Sequence, residues 1–320
     1  MRTVTLEEHF VTRDFVRATA GHGSPPWLQR EQLRDRLLDL GEGRIAAMDE
    51  GNIDLQVLSL ASMGLDKLDA ATATSLAHDI NDELAAAVRA HPTRFAGFAA
   101  LALKDPGSAA KELERCVQKL DFKGAMLDGT TEGEFLDQPK FLPVFEAAQS
   151  LGVPIYLHPA PPPETVQKAY FSNLPGDAGF FLSIAGWGWH AETGLHVLRL
   201  IVSGLFDRLP NLQLIIGHMG EGVPYALARS SNALSLAMKR LPRSVAEYFR
   251  ANVHVTTSGY FTTPPFQCAL EVLGIDRLMY SVDYPFSPTT NGREFLSSLQ
   301  FESEDMAKLS HENAERLLQL

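Results

Sequence analysis

Short apolar runs recur along this chain, and a longer amphipathic segment follows most of them. The short runs are mostly continuous rather than alternating, which is typical of strands that are buried on both faces. We predict eight strands, at residues 4–10, 54–62, 94–101, 122–129, 154–159, 212–220, 253–259 and 278–285. The amphipathic segments predict helices at residues 69–90, 108–120, 140–152, 190–206 and 303–320.

Eight strands that alternate with helices predict an α/β fold, the (β/α)8 TIM barrel, with residues 1–320 forming a single domain. The alternative is a doubly wound open sheet. That fold is disfavoured because no predicted strand is followed by a G-x-G-x-x-G turn.

Two connections are too long for tight turns: residues 11–44 after the first strand and residues 160–189 after the fifth. Both leave the C-terminal end of a strand, where barrel active sites lie. We therefore expect both to wall the pocket, with Phe181, Trp187 and Trp189 as candidates to cover an aromatic ring.

Composition and charge narrow the range of partners. The 320 residues carry a formal net charge of -11, which repels phosphate backbones and argues against nucleic acid. No apolar stretch has the length of a membrane span, and strand-like sequence from Val4 leaves no room for a signal peptide. Cys116 and Cys268 form no C-x-x-C pair and suggest no disulfide framework, so we predict a cytoplasmic protein.

Polar side chains end several of the predicted strands. Glu7 and His9 close the run "VTLEEHF" and, two residues apart, point the same way, whereas Glu8 points the other way. His158 ends the fifth strand and Asp283 the eighth. Two imidazoles and two carboxylates at one end of a barrel suit zinc, manganese or iron, with a position left open for water or substrate. Each residue alone is more often a hydrogen-bonded core or turn residue; the combination favours a metal site.

Other polar residues occupy related positions. His218 and Glu221 follow the sixth strand in "GHMGE" and are candidates for catalysis. His190 stands after the second long connection and is a further candidate for substrate contact, and His22 lies in a Gly/Pro-rich loop that could line the pocket. The remaining histidines are in or beside helices, or at the wrong end of a strand, and look structural: His78, His91, His196, His254 and His311.

The stretches "LEEHF", "YLHP", "ETGLHVLRLIVSGLFDRLPNLQLIIGHMGEGVPY" and "SVDYPF" resemble the amidohydrolase superfamily. The resemblance spans nearly the whole chain. It is specific to the branch of metal-dependent aromatic-acid decarboxylases, of the γ-resorcylate and 2,3-dihydroxybenzoate type.

The resemblance implies a role for each matching residue. It assigns one divalent ion, Zn²⁺ or Mn²⁺, to four ligands, and catalytic roles to Asp283, His218 and the acid Glu221 that pairs with His218. It also implies a homodimer or homotetramer that acts on a small aromatic acid. The four implied ligands are Glu7, His9, His158 and Asp283.

The chain departs from the resorcylate-type pattern at positions expected to face the substrate. Ala160 stands where "HPR" has arginine, and Asp128 where the pattern has asparagine. The stretch "GWGWHAET" also differs. These changes leave the metal chemistry intact and leave the identity of the acid open.

The leading hypothesis for function is nonoxidative decarboxylation of a hydroxylated benzoate-type acid by a metal-dependent carbon–carbon lyase. In that reaction Asp283 delivers a proton to the ring carbon and His218 positions substrate or relays protons. The alternative is a metal-dependent hydrolase acting on a small cyclic or aromatic substrate. A third possibility is a catalytically inactive binding protein on the same fold, which the intact polar set disfavours.

Overall fold

A computed structural model describes residues 1–20, 26–236 and 241–320. The strands are parallel to their neighbours. In chain order they are β1 (Val4–Phe10), β2 (Leu55–Leu60), β3 (Phe95–Gly97), β4 (Ala99–Ala100), β5 (Ala125–Asp128), β6 (Ile155–His158), β7 (Leu214–Ile216), β8 (Val253–Thr256) and β9 (Leu278–Met279).

These strands fill the eight strand positions of a (β/α)8 barrel, as predicted. β3 and β4 together occupy one strand position of the barrel, and the pairing changes from β2 to β5 around Phe98. The Phe98 amide donates to Leu58 O, and the Ala99 amide donates to Gly124 O. The ladder then runs in order from β4 to β9. Between β9 and β1 the barrel closes through the His9 amide, which donates to Tyr284 O at 2.7 Å.

Two apolar cores flank the strands. One fills the barrel and is closed at its base by Ala314 and Leu318 of the C-terminal helix. The other packs the outer face of the strands against the surrounding helices. The barrel interior is therefore a packed core below the strand ends, and the predicted metal ligands lie above it at the C-terminal mouth. The strand residues of the inner core are Val4, Leu6, Leu55, Val57, Ala96, Met126, Tyr156, Ile215 and Met279, together with Phe98.

Among the described residues, four helices begin at a side chain that accepts from a first-turn amide: Thr12, Asp69, Asp105 and Ser244. Asp69 accepts from the Thr72 amide at the start of the long alanine-rich helix, and Asp105 caps the next one ahead of a proline. In chain order the helices are α1 (Arg13–Thr19), α2 (Glu31–Leu38), α3 (Glu42–Glu50), α4 (Ala70–Ala90), α5 (Pro106–Leu120), α6 (Leu142–Leu151), α7 (Glu164–Tyr170), α8 (Ala178–Ser183), α9 (Gly188–Val202), α10 (Leu205–Arg208), α11 (Val223–Ser235), α12 (Val245–Asn252), α13 (Thr263–Leu273), α14 (Thr289–Ser298), α15 (Ser303–Ala307) and α16 (Asn313–Leu318).

The two long connections contain helices of their own. Residues 11–44 contain α1 and α2, and residues 160–189 contain α7 and α8. Among the described residues, no helix is both long and apolar enough to cross a membrane.

Several strands are shorter than predicted, and two of these differences matter at the mouth. β7 ends at Ile216, and His218 belongs to a short 3-10 turn, His218–Gly220, with a φ of 49°. β9 ends at Met279, and Asp283 lies beyond it with a φ of 71°. Both side chains are therefore carried on turns with left-handed backbone, which is common at functional sites.

Candidate metal centre and active site

A bulge in β1 turns its acidic end into the barrel. Thr5 pairs with Gln56, but the next pairing is Glu8 with Leu58, so β1 holds one extra residue. Leu6 packs in the inner core and Glu7, the next residue, also points inward. The amides of Leu6 and Glu7 both reach the Ser281 hydroxyl, at 3.1 and 2.7 Å. The bulge thus re-aims the strand as it reaches the mouth.

Four side chains predicted to bind a metal meet at this mouth. Ligand atoms of Glu7, His9 and His158 all lie within 4.8 Å of one another. His158 Nε2 is 3.2 Å from Glu7 Oε1. Asp283 Oδ1 is 3.3 Å from His9 Nε2, so the fourth predicted ligand adjoins the same point. The structure brings together residues from strands β1 and β6 and from the turn after β9.

The environment of these atoms fits a divalent cation. Glu7 Oε1 and His9 Nε2 are buried, and neither has a hydrogen-bond partner among the described residues. Burial opposes charge on Glu7, but His218 and His158 outweigh it and hold the Glu7 pKa well below its usual range. Burial likewise lowers the pKa of His158, but Asp128 and Glu7 raise it to about 10. Carboxylates that stabilise positive charge this strongly would stabilise a metal ion in the same place.

Tyr156 supports Glu7 from inside the barrel. Its hydroxyl donates to Glu7 Oε2 and lies 2.8 Å from Thr256 Oγ1, which is 2.7 Å from Ser258 Oγ. Oε2 is thereby occupied, and Oε1 faces His9 and the mouth. Tyr156 was not predicted as a site residue, although its position two residues before His158 puts it on the same face of the strand.

Glu8 points away from the metal residues, as predicted, and closes the barrel seam. Its carboxylate accepts from the backbone amides of Val282 and Tyr284, at 2.9 and 3.2 Å, and from Ser281 Oγ at 3.0 Å. Burial raises the pKa of Glu8 to about 8, although these donors oppose the shift. The two amides flank Asp283, so Glu8 holds the turn that carries this residue.

The two residues predicted to follow the sixth strand form a pair. His218 Nδ1 lies 2.8 Å from Glu221 Oε1. His218 Nε2 faces the metal residues, 3.6 Å from Glu7 Oε1 and 3.8 Å from Asp283 Oδ2. Burial lowers the pKa of His218, but Glu7 and Glu221 raise it well above its usual value. Glu221 therefore orients the imidazole at Nδ1, and Nε2 points towards the metal residues.

His190 differs from the prediction. Both of its ring nitrogens have partners within the chain, Nδ1 with Glu221 Oε2 at 2.5 Å and Nε2 with Ala185 O at 3.1 Å. It is therefore not free to contact substrate.

The other histidines are placed as follows. His22 lies outside the described residues. Buried His196 accepts from the Leu136 amide, and His254 contacts Arg277 at the opposite end of the barrel; both roles are structural, as predicted.

Aromatic rings border the metal residues. Phe286 is 5.6 Å from the His9 ring, and Trp27 of the first long connection is 5.8 Å from Phe286. Tyr260 contacts both His218 and His190. These three aromatic residues were not predicted from the sequence as site residues. Phe286 and Tyr260 follow strand-end polar motifs directly, which is the signal that could have found them.

A cavity of about 500 Å³ opens at the ends of strands β2 to β6; none of the four predicted metal ligands lines it, and Asp128 connects it to His158. Asp128 and Ala160, two positions that depart from the family pattern, both line it, and Asp128 Oδ1 is 3.2 Å from His158 Nδ1. Residues 160–165 form part of its wall. Phe181 and Trp187 lie outside this lining and are 49% and 63% exposed.

Comparison with known proteins agrees with this geometry. The amidohydrolase family model matches residues 16–320. The γ-resorcylate decarboxylase of a Polaromonas species is 37% identical over 99% of this chain and 98% of its own length.

Two solved structures are similar over the whole chain. One is 5-carboxyvanillate decarboxylase from Novosphingobium aromaticivorans, complexed with manganese and 4-hydroxy-3-methoxy-5-nitrobenzoic acid. It has a TM-score of 0.92 and 33% identity, covering 100% of this chain and 96% of the other. The other is a 2,6-dihydroxybenzoate decarboxylase complexed with 2,6-dihydroxybenzoate, with a TM-score of 0.90, 35% identity and 100% coverage of both chains. The chain therefore belongs to the amidohydrolase family, in its branch of aromatic-acid decarboxylases.

Proposed function

We propose that this protein catalyses metal-dependent, nonoxidative decarboxylation of a hydroxylated benzoate-type acid. The observation that carries the proposal is the meeting of Glu7, His9, His158 and Asp283, where the buried atoms Glu7 Oε1 and His9 Nε2 have no hydrogen-bond partner among the described residues. One divalent ion, Mn²⁺ or Zn²⁺, fits this nitrogen and oxygen set. When bound by Glu7, His9, His158 and Asp283, such an ion would supply Lewis-acid chemistry. Manganese and a benzoic acid derivative in a similar enzyme support this assignment.

The reaction replaces the bond between ring carbon and carboxylate with a carbon–hydrogen bond, so a proton must reach that carbon as CO2 leaves. We assign the delivery to Asp283, whose side chain is 16% exposed at the mouth and can reach a bound acid. His218 Nε2, 3.8 Å from Asp283 Oδ2, can return a proton to it between turnovers. Glu221 keeps the His218 ring in the orientation that this transfer needs.

An ortho hydroxyl on the substrate helps because its oxygen, once ionised, donates electron density to the ring carbon that takes the proton. Trp27, Phe286 and Tyr260 lie where they could contact the ring faces and edges. Asp128 and Ala160 line the adjoining cavity, so we propose that they set which further ring substituents are accepted.

The decisive experiment is a substrate panel on metal-loaded protein, with CO2 release and product mass as readouts. Dihydroxybenzoates with an ortho hydroxyl are expected to lose CO2, whereas benzoate and 3-hydroxybenzoate are not. Removal of the metal by chelation is expected to abolish turnover, and added Mn²⁺ or Zn²⁺ to restore it. Full activity of metal-free protein would overturn the proposal, and a product that had gained water would favour the hydrolase.

The oligomeric state and the cellular location are further proposals. We propose one domain and a homodimer or homotetramer, supported by exposed apolar side chains on residues 160–189, which include Tyr170 and Trp187 at 76% and 63% exposure. Light scattering of purified protein tests the assembly, and a monomer would contradict it. The cytoplasmic location stays a prediction.

A further inference from the structure

Glu221 joins two histidines rather than one. His218 Nδ1 lies 2.8 Å from Oε1 and His190 Nδ1 lies 2.5 Å from Oε2, so each carboxylate oxygen takes one imidazole. All three side chains are buried. Although their ligand atoms are close enough to hold a cation, the short hydrogen bonds already use them. The cluster is therefore better described as a hydrogen-bonded relay.

The second nitrogen of His190 extends this relay to the backbone. His190 Nε2 is 3.1 Å from Ala185 O, in the turn between α8 and α9. A carbonyl and an ionised carboxylate can only accept, so each ring nitrogen of His190 faces an acceptor. Burial raises the pKa of Glu221, but His218 and His190 lower this pKa by more than burial raises it, so the carboxylate stays ionised.

The turn that presents Ala185 O is tightly folded. A Cβ on Gly188 would lie 2.2 Å from Ser183 O, and one on Gly186 would lie 2.7 Å from Phe181 O. Both contacts are with backbone, which cannot easily move aside. The two glycines of "GWGWH" therefore allow the chain to pack closely enough for His190 to reach both Ala185 O and Glu221.

We propose that His190 is a positioning residue that acts on His218 through Glu221 and ties the turn at residues 183–188 to this pair. By donating to Oε2 it fixes the Glu221 carboxylate, so that Oε1 accepts the hydrogen bond from His218 Nδ1 and orients the His218 ring. Nε2 of His218 is then the nitrogen that faces Asp283. The effect on turnover rests on the proposed function, whereas the effects on the His218 hydrogen bond and on the turn do not.

Two conservative variants separate the two hydrogen bonds. His190→Asn keeps a donor near the position of Nδ1, towards Glu221, and loses the one towards Ala185. His190→Gln keeps a donor near the position of Nε2 and loses the one towards Glu221. The matched control is His196→Gln on the same helix, a buried histidine whose Nε2 instead accepts from the Leu136 amide.

We expect His190→Gln to lower kcat about 10-fold or more, within the range for residues that orient a site's ligands, with KM and metal content near wild type. His190→Asn should keep most of the turnover but show faster amide hydrogen exchange at residues 183–190. Nitrogen NMR of histidine-labelled protein should show one well-defined Nδ1–H signal of His218, hydrogen-bonded to Glu221, in wild type and in His190→Asn, and a shifted or broadened signal in His190→Gln. His196→Gln should change none of these.

The outcomes that overturn the inference are distinct from failure of the proposed function. An unchanged His218 Nδ1–H signal in His190→Gln, or an equal loss of turnover in both variants, would mean that His190 only fills space. If wild type decarboxylates no acid, the proposed function fails, while the NMR and exchange measurements still decide the role of His190.

Discussion

Replacing Tyr156 with phenylalanine removes one oxygen atom from beneath the metal residues. The Tyr156 hydroxyl donates to Glu7 Oε2, at a site where both side chains are fully buried. Without this donor the ionised carboxylate is less stable and freer to rotate, so it is less well placed to bind the metal. A hydrogen bond to a charged group contributes about 1.5–3 kcal/mol, and a tenfold change corresponds to about 1.4 kcal/mol. Metal affinity should therefore fall about 10- to 100-fold, the range seen for such supporting residues.

Competition with a chromophoric chelator measures this affinity directly and needs no substrate. Tyr280→Phe is the matched control, because Tyr280 is 1% exposed and its hydroxyl has no hydrogen-bond partner among the described residues. Its removal should leave metal affinity unchanged. Thermal unfolding of both variants checks that the fold is intact. Equal metal affinity in Tyr156→Phe and wild type would refute the reasoning that Tyr156 holds Glu7 in place.

Three further predictions concern the same site. Gly217→Ala should reduce metal content, measured by elemental analysis, because the new Cβ would lie 2.3 Å from Glu7 Oε2; normal metal content would show that Glu7 is not held there. Asp283→Asn should lower turnover by about 10²–10⁴-fold. His218→Asn should slow turnover while metal content stays near normal. An active, metal-loaded Asp283→Asn variant would show that another residue delivers the proton. His158 in the metal-free protein has a pKa raised to about 10 and holds a proton at neutral pH. Metal binding displaces that proton, so the metal affinity measured by calorimetry should rise about tenfold per pH unit from roughly pH 6 to 9. A metal affinity that does not change with pH would contradict this.

The sequence contained enough to predict the barrel and the residues that meet at its mouth. Strands buried on both faces must be apolar throughout, so a polar residue at the end of such a run is conspicuous. Parallel barrel strands also place their C-terminal ends on one face, so Glu7, His158 and Asp283 could be expected to meet across long stretches of chain. The predicted family is confirmed by the comparisons.

The helical content of the long connections was not predicted, nor were the full partners of the polar residues. Residues 160–189 read as a Gly/Pro-rich loop, yet they contain two short helices. His190 was a candidate for substrate contact, whereas its two nitrogens bond within the chain. A hydrogen-bond partner 31 residues away, such as Glu221, leaves no mark on local periodicity.

Two features of the site were decided only by the tertiary structure. Strict alternation would place Glu7 on the face opposite Leu6, but the bulge that pairs Glu8 with Leu58 brings both inside the barrel. The bulge is accommodated by Ser281, whose hydroxyl accepts two successive amides of β1. The left-handed turn at Asp283 is likewise held by Glu8 from the other end of the chain. The sequence by itself determines which residues are polar and where the apolar runs stop. Closing the barrel brings the first and last strands together, and only these contacts between distant segments determine where those polar atoms point.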